Sequence, residues 1–382
     1  MDGITVELGI PGLLVLDYRE GSDGIEVAIR YAVEAASCPG CGRLTSQVHA
    51  WSKQRKRDAE LWGKRAWLLL WKRRFRCREC RRVFTEDDPA CGRRKRTTCR
   101  LRRQLAIQAQ EATVRAVSRW HSVSEGLVQR SWLESYGRTK EPTKAHVFLG
   151  LDGFCVRRPG VMWTAMWDMQ TRNPVAVTPG GRKRDLVKLL ERHADPEKVK
   201  AAVIDLHEPS RQAIELVLPQ TAIVADKFHV LALAHRAMQE VRGGRRLRGN
   251  LAWLMHRNIQ SLSQADAERL AAALGEDDRL RAAWLLKEGL RAVYRSRGRE
   301  QATAALADWL TEAKDSGLEP FLRTARTLVK WQKEVLNYWD YPLTNGMVEG
   351  KNNRIKVLKR RAYGYRNERT FSLRILNLFH AY

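Results

Sequence analysis

Residues 146–152 read HVFLGLD. Val147, Phe148, Leu149 and Leu151 make a short apolar run bounded by polar residues, which predicts a buried strand. The run closes on a carboxylate, Asp152, followed by Gly153. An ionisable group at the tip of an apolar strand is costly to bury unless it is paired or binds a metal; the plainer alternative is an Asp that caps or turns the chain. Two later segments have the same form: residues 199–205 (VKAAVID) end at Asp205, and residues 221–226 (TAIVAD) end at Asp226. Between them, residues 160–168 and 173–178 extend the first strand into an antiparallel meander. Helices are expected at 184–193, with Leu186, Leu189 and Leu190 on one face, and at 208–216. Three strands followed by alternating helices and strands is α/β layering with carboxylates gathered at one edge. Such an edge suits Mg²⁺, which is held by a few carboxylates together with substrate phosphate oxygens.

The rest of the chain is basic. Its 382 residues carry 69 Lys and Arg against 43 Asp and Glu, a net charge of +26. Length predicts two to four domains. The charge implies a polyanionic partner, because each cation that neutralises a phosphate releases a counterion. No run of 18 apolar residues and no basic amphipathic anchor is present, so nucleic acid is favoured over a membrane. The N-terminal MDGITVELGI has no basic n-region, so no secretory signal is expected and a cytoplasmic location is.

Four of the seven cysteines form two CxxC pairs, Cys38–Cys41 and Cys77–Cys80. The two-residue spacer gives the tight turn that a four-thiolate Zn²⁺ site needs on each side. The separation between pairs exceeds the usual one, but the insert, especially residues 66–75, reads as strand. Cys91 and Cys99 are read as free thiols, with extra zinc ligands as the alternative, and Cys155 as a packing residue. Between Lys72 and Arg103 stand 14 basic and four acidic residues, an imbalance that predicts a phosphate track including Arg73, Arg74, Arg94, Lys95 and Arg96. Helical periodicity follows at 101–111, 112–120 and 125–136, with Ser122 or Ser124 as cap of the third helix. This is a helix-turn-helix outline whose third helix, carrying Arg130, would read DNA. Residues 137–143 (GRTKEPT) form a polar linker.

Residues 231–338 are almost wholly helical in pattern, and Trp253, Trp284, Trp309 and Trp331 are expected in the core. After a break at 341–346 a last helix carries Glu349, Asn353, Lys356 and Arg360 on one face. That face offers one metal-type ligand followed by phosphate-binding cations; residues 351–369 hold eight basic residues and one acidic.

Cys38–Cys80, the element Asp226-Lys227-Phe228-His229, and the block from Asn345-Gly346-Met347-Val348-Glu349 through Asn352, Asn353 and Lys356 to Gly364-Tyr365-Arg366-Asn367 together resemble the ISL-three type of bacterial insertion-sequence transposases, from about Ser37 to the C-terminus. The resemblance implies a zinc ribbon (1–90), a helix-turn-helix (91–140) and a ribonuclease-H-like DDE catalytic domain (144–230 and 341–382) interrupted by an all-α insertion (231–340). It implies Asp152 as the first carboxylate ligand of catalytic Mg²⁺ or Mn²⁺ and Glu349 as the last. For the middle ligand, related groups have an Asp at a strand end with a C/D-x-x-H element some 20 residues on. Asp205 fits the first requirement and Asp226–His229 the second, so Asp205 is the expected ligand, with Asp226 in reserve and Asp226 and His229 as supporting residues. The chain departs from the pattern at Gly153, where Glu is frequent, and at Leu206-His207-Glu208-Pro209, where Met-Ser is common.

The activity implied is cleavage of double-stranded DNA at terminal inverted repeats and transfer of the freed 3′ ends to target DNA by a nucleoid-associated homodimer or larger homo-oligomer. Two other functions compete with it. A DNA-binding regulator would use the zinc ribbon and helix-turn-helix alone, and the three carboxylates argue against that. A structure-specific nuclease on the same scaffold would cut without strand transfer.

Overall fold

The computed structural model describes residues 10, 12–137, 144–157, 160–243, 249–362, 365 and 367–379. Most of the expected linker, and Gly364 and Arg366 of the C-terminal block, lie outside the described residues. The chain divides into two units, Met1–Thr139 and Lys140–Tyr382.

In the first unit, β1 (Leu13–Gly21), β2 (Gly24–Tyr31), β5 (Val48–Leu61), β6 (Lys64–Arg76) and β7 (Val83–Thr85) make one sheet in which β2 runs parallel to β6 and antiparallel to β1. β3 (Ala36–Ser37) and β4 (Leu44–Thr45) form a separate two-stranded ribbon. The period-2 alternation of a half-buried strand puts Ile25, Val27, Ile29, Leu68 and Leu70 into one core. β5 and β6 form a long antiparallel hairpin closed by Trp62 and Gly63, both at positive φ (50° and 72°). Two such residues make the turn whose twist matches the strands. Three helices follow, α1 (Cys99–Glu111), α2 (Val114–His121) and α3 (Glu125–Tyr136), capped by the side chains of Thr98, Thr113 and Ser124. Leu101, Leu105, Val117, Val128 and Trp132 are buried among them.

In the second unit, β8 (Phe148–Arg157), β9 (Val161–Asp168) and β10 (Asn173–Pro179) form the expected meander. α4 (Lys183–His193), β11 (Ala201–Ile204), α5 (Glu208–Val217) and β12 (Ala222–Ala225) follow. The sheet order is β10-β9-β8-β11-β12, with β11 parallel to both β8 and β12. One face, with Leu149, Leu151, Ala202 and Ile204, packs on Leu186, Leu190, Ile214 and Val230. The other, with Ala165, Trp167, Ala201 and Val203, packs on Val348, Ile355, Phe371 and Ile375.

The strand around Asp152 does not end there. β8 continues to Arg157, with Asp152 opposite Ala165 in the ladder. Gly153 reads as a terminator in sequence, but Phe154 and Val156 resume the apolar alternation and pack in the second core. Asp152 is therefore a mid-strand residue with the facing of Phe148 and Phe154.

α6 (Lys227–Arg242) opens a helical region comprising α7 (Leu251–His256), α8 (Gln264–Gly275), α9 (Asp278–Val293), α10 (Arg299–Asp315), α11 (Glu319–Lys330) and α12 (Gln332–Leu336). Trp284, Trp309 and Trp331 are buried in it as expected. Trp253 is not: it is 53% exposed, with the Arg257 guanidinium 4.9 Å from its ring. α7 is six residues long and turns only Leu254 and Met255 inward. Asn337 returns the chain to the sheet, donating to Ile223 O at 2.8 Å. α13 (Gly346–Arg361) and α14 (Glu368–Asn377) then cover the second face.

Candidate active site and metal centre

Strand periodicity brings two carboxylates together. Leu151 pairs with Ile204 in the parallel β8–β11 register, so the next residues, Asp152 and Asp205, stand on neighbouring strands. Both have the facing of Phe148 and Val203, toward α13. Asp226 follows β12 and caps α6, its Oδ2 accepting from the backbone N–H of His229 at 3.3 Å.

α13 supplies the hydrogen bonds around them. Asn345 donates its side-chain amide to Asp205 Oδ1 at 3.1 Å and to Leu151 O at 3.4 Å, while its backbone N–H donates to Asp226 Oδ1 at 2.9 Å. The Thr344 hydroxyl donates to the same Asp226 oxygen at 2.8 Å. Asn352 donates its side-chain amide to Asp152 Oδ2. His229 Nδ1 lies 2.9 Å from Asp226 Oδ2 and 3.0 Å from Asp205 Oδ1, so the proton sits on Nδ1 and the imidazole bridges the two carboxylates.

These contacts sort the carboxylates. Burial, and then the neighbouring charge of Asp205, push the Asp152 carboxyl up to about 7. Burial likewise raises Asp205, against the pull of His229 and Asn345. Burial would also raise Asp226, but hydrogen bonds from His229, Thr344 and Asn345 outweigh it and hold this carboxyl below the usual range. The bond to Asp226 in turn raises His229. Asp226 is 1% exposed and its oxygens are taken by donors. Asp205 lines a cleft of about 960 Å³, together with Leu151, Gly153, His207, His229 and Arg236.

Asp205, Asp226 and His229 present donor atoms within 4.8 Å of one another. Asp152 and Glu349 are outside that group, although Asp152 feels the charges of Asp205 and Asp226. Glu349 is exposed in the first turn of α13, three residues before Asn352, which puts the two on one side of the helix. In the sequence Asn345 stands out as a possible helix cap and both Asn345 and Asn352 as members of the C-terminal block, but nothing there marks them as partners of Asp205 and Asp152.

In the first unit the β5–β6 hairpin returns Cys77 beside Cys41, with Sγ atoms 3.5 Å apart; Cys38 and Cys80 are also 3.5 Å apart. All four sulfurs lie within 4.8 Å of one another. The N–H of Gly40 donates to Cys38 Sγ and lowers that thiol to about 6, while, against the backbone N–H of Arg43, hydrogen bonding to Cys77 and burial push Cys41 up to about 11. The donor set and its closeness suit a structural Zn²⁺. Cys91 is buried and its thiol is pushed up to about 12, while exposed Cys99 contacts Pro89 O. Neither belongs to the cluster.

The phosphate track needs one correction. Arg73 is 3% exposed, and its Nε and Nη2 both donate to Glu86 Oε2, at 3.0 and 2.7 Å. Its charge is spent inside the fold. Arg74, Arg94, Lys95, Arg96 and Arg130 are exposed, as are Lys356 and Arg360 on α13; Lys95 stands 3.8 Å from Glu134.

A family model described as Transposase, of the ISL-three type, matches residues 149–375. The chain belongs to this transposase family. A second model, the zinc-finger of transposase IS204/IS1001/IS1096/IS1165, matches residues 34–80, which span both CxxC pairs. The transposase for insertion sequence element IS1001 of Bordetella parapertussis is 28% identical over 375 residues, covering 93% of this chain and 91% of that one. The transposase for insertion sequence element IS1557 of Mycobacterium tuberculosis (strain CDC 1551 / Oshkosh) is 25% identical over 303 residues, 69% and 67% of the two chains. Among the described residues, no helix of this transposase-family chain is long and apolar enough to cross a membrane.

Proposed function

We propose that the protein is a DNA transposase that cuts double-stranded DNA at the terminal inverted repeats of an insertion sequence and transfers the freed 3′ ends to target DNA. The observation that carries this reading is the meeting of Asp152 and Asp205 on adjacent parallel strands beside the cleft, in a chain of net charge +26. The order and directions of the five strands support a ribonuclease-H-like domain formed by 144–230 and 341–382, with 231–340 as an all-α insertion. Residues 1–90 serve as the zinc ribbon and 91–140 as a helix-turn-helix, supported by α1–α3 and the left-handed Ser122 that links α2 to α3.

The donor set fits a divalent cation. Two half-buried carboxylates repel each other with their charge only partly offset, and the buried Oδ1 atoms of Asn345 and Asn352 lack hydrogen-bond partners among the described residues. Asp152, Asp205 and Glu349 would hold Mg²⁺ or Mn²⁺, which when bound activates a water or 3′-hydroxyl and offsets charge on the leaving oxygen. Asn345 and His229 orient Asp205, Asn352 orients Asp152, and Asp226 anchors the start of α13 to α6. Arg236, Lys356 and Arg360 supply cations for the DNA backbone. Processing two ends together calls for a homodimer or larger oligomer.

A strand-transfer assay with terminal-repeat DNA, a plasmid target and Mg²⁺ tests the reading. Joined products are expected. Cleaved ends without joining would assign a nuclease, and binding without cleavage a regulator.

A further inference from the structure

One face of the β5–β6 hairpin carries aromatic and cationic side chains in alternation. Arg57 and Trp67 are cross-strand partners, and Arg55 is diagonal to the same tryptophan. The Arg55 guanidinium lies 3.8 Å from the Trp67 ring centroid and that of Arg57 lies 5.1 Å away. A ring that holds two guanidiniums fixes their donor directions at little entropic cost. Arg57 is 6% exposed and is fastened by donating to Ala66 O and His121 O, at 3.2 and 3.3 Å.

These groups line a concavity of about 460 Å³. Exposed Arg65 and Arg96 complete it on one side, and the turn Ser122–Ser124 with Leu127 of α3 closes the other. Four arginines face this space, and no carboxylate is among the described residues that line it. Glu26 pairs with Arg55 outside it, at 2.8 Å. Burial and the charge of Arg65 depress the Arg57 guanidinium, against the pull of Glu60 and Asp58. The amino end of α3, a twelve-residue helix, adds its positive dipole end to the same wall.

We propose that this pocket holds one backbone phosphate of duplex DNA and so fixes the position of α3 on its site. The proposal rests on the reading of the chain as a DNA-binding transposase and adds the place and chemistry of an anchoring contact. Phosphate contacts set position and carry no sequence information. The four arginines therefore govern affinity and register, while exposed side chains of α3 govern sequence preference.

The test uses the full chain and fluorescence-labelled duplexes, one terminal and one random, titrated from about 50 to 300 mM KCl. Each phosphate contact contributes about 0.9 to the slope of log K against log salt. Arg65→Ala, an exposed and non-disruptive change, is expected to reduce the slope by about 0.9. It should also weaken both duplexes by the same factor, about eightfold at 0.1 M salt. Arg65→Ala with Arg96→Ala should weaken both duplexes further without a larger change of slope, because one phosphate accounts for about 0.9 in all. Trp67→Leu keeps every charge but frees the guanidiniums, and should weaken binding to both duplexes. Arg19→Ala, on β1 and paired with Asp17, should change neither quantity. Slopes and affinities unchanged in Arg65→Ala, or changed equally by Arg19→Ala, overturn the pocket while leaving DNA binding intact. A wild-type chain that binds neither duplex overturns both readings.

Discussion

The Asn345 side chain donates to Asp205 Oδ1 at 3.1 Å across 140 residues of sequence. Its second acceptor, Leu151 O, is the residue before Asp152. One amide thus gauges the spacing of the two strands that carry the carboxylates, and its backbone N–H binds the third Asp. Asn345→Ala is expected to destabilise the fold by about 1–3 kcal/mol, the usual effect of stranding buried polar groups, and to lower DNA cleavage at least tenfold. Asn345→Asp sets a third charge against Asp205. It should melt lower than Asn345→Ala without divalent ions and recover in part with Mg²⁺. Wild-type melting of Asn345→Asp would show that this bond does not organise the site.

The four-cysteine cluster predicts about one Zn²⁺ per chain in protein purified without chelators. Cys77→Ser should lose the metal and Cys99→Ser should keep it, since Cys99 lies outside the cluster. Elemental analysis decides this directly, and equal zinc in both variants would exclude Cys77 as a ligand.

Arg73 and Arg74 are neighbours with opposite expectations. Arg73→Ala leaves Glu86, 7% exposed, without its guanidinium partner. Breaking a buried pair on one side costs about 3–5 kcal/mol, so the first unit should melt far lower. Arg74→Ala should leave melting within about 0.5 kcal/mol of wild type and weaken DNA binding alone. Similar melting of the two variants would contradict the burial of Arg73.

Strand periods made the sheet of the second unit legible from sequence, because its strands are short apolar runs between turns. The same period explains why Asp152 and Asp205 face one way. Residues whose meaning is tertiary were not legible. Asn345 and Asn352 belong to the block that carries the resemblance, but their partners Asp205 and Asp152 show only once the sheet is beneath them. Arg73 looks like part of a basic surface until Glu86, thirteen residues later, pairs with it. Trp253 lies in the same helical pattern as the buried tryptophans, but the six-residue α7 buries Leu254 and Met255 and leaves it outside.

His235 offers a pH test away from the site. Burial, with the charges of Lys287 and Arg291, lowers its imidazole to about 4 from 6.5; the ring stacks on His256 with centroids 5.9 Å apart. A group whose folded pKa is depressed binds fewer protons in the native state, so stability falls as pH drops from 6.5 toward 4. His235→Asn should flatten the fall in melting temperature across that window while leaving behaviour above pH 7 unchanged. An equally steep fall in the variant would show that other groups carry the acid sensitivity.

The carboxylates separate by stability as well as by activity. Removing Asp152 or Asp205 relieves repulsion between half-buried charges but strands the amide of Asn352 or Asn345, so either alanine variant should melt much less far below wild type than Asp226→Ala when divalent ions are absent. Glu349 is exposed, and Glu349→Ala should move stability by less than about 0.5 kcal/mol. Asp226→Ala is different. It strands the Thr344 hydroxyl, the Asn345 N–H and His229, and removes the cap of α6. Each stranded buried donor costs about 1–3 kcal/mol and the cap about 1, so this variant alone should melt sharply lower. If Asp152, Asp205 and Glu349 hold the catalytic metal, each of their alanine variants should lose cleavage of terminal DNA and keep DNA binding, because deleting an acidic group from a basic groove does not weaken phosphate attraction. Asp226→Ala should retain some cleavage at temperatures where it stays folded. Full cleavage by Asp205→Ala, with none from a folded Asp226→Ala, would move the middle ligand to Asp226. Full cleavage by Glu349→Ala would place the third ligand elsewhere than the first turn of α13.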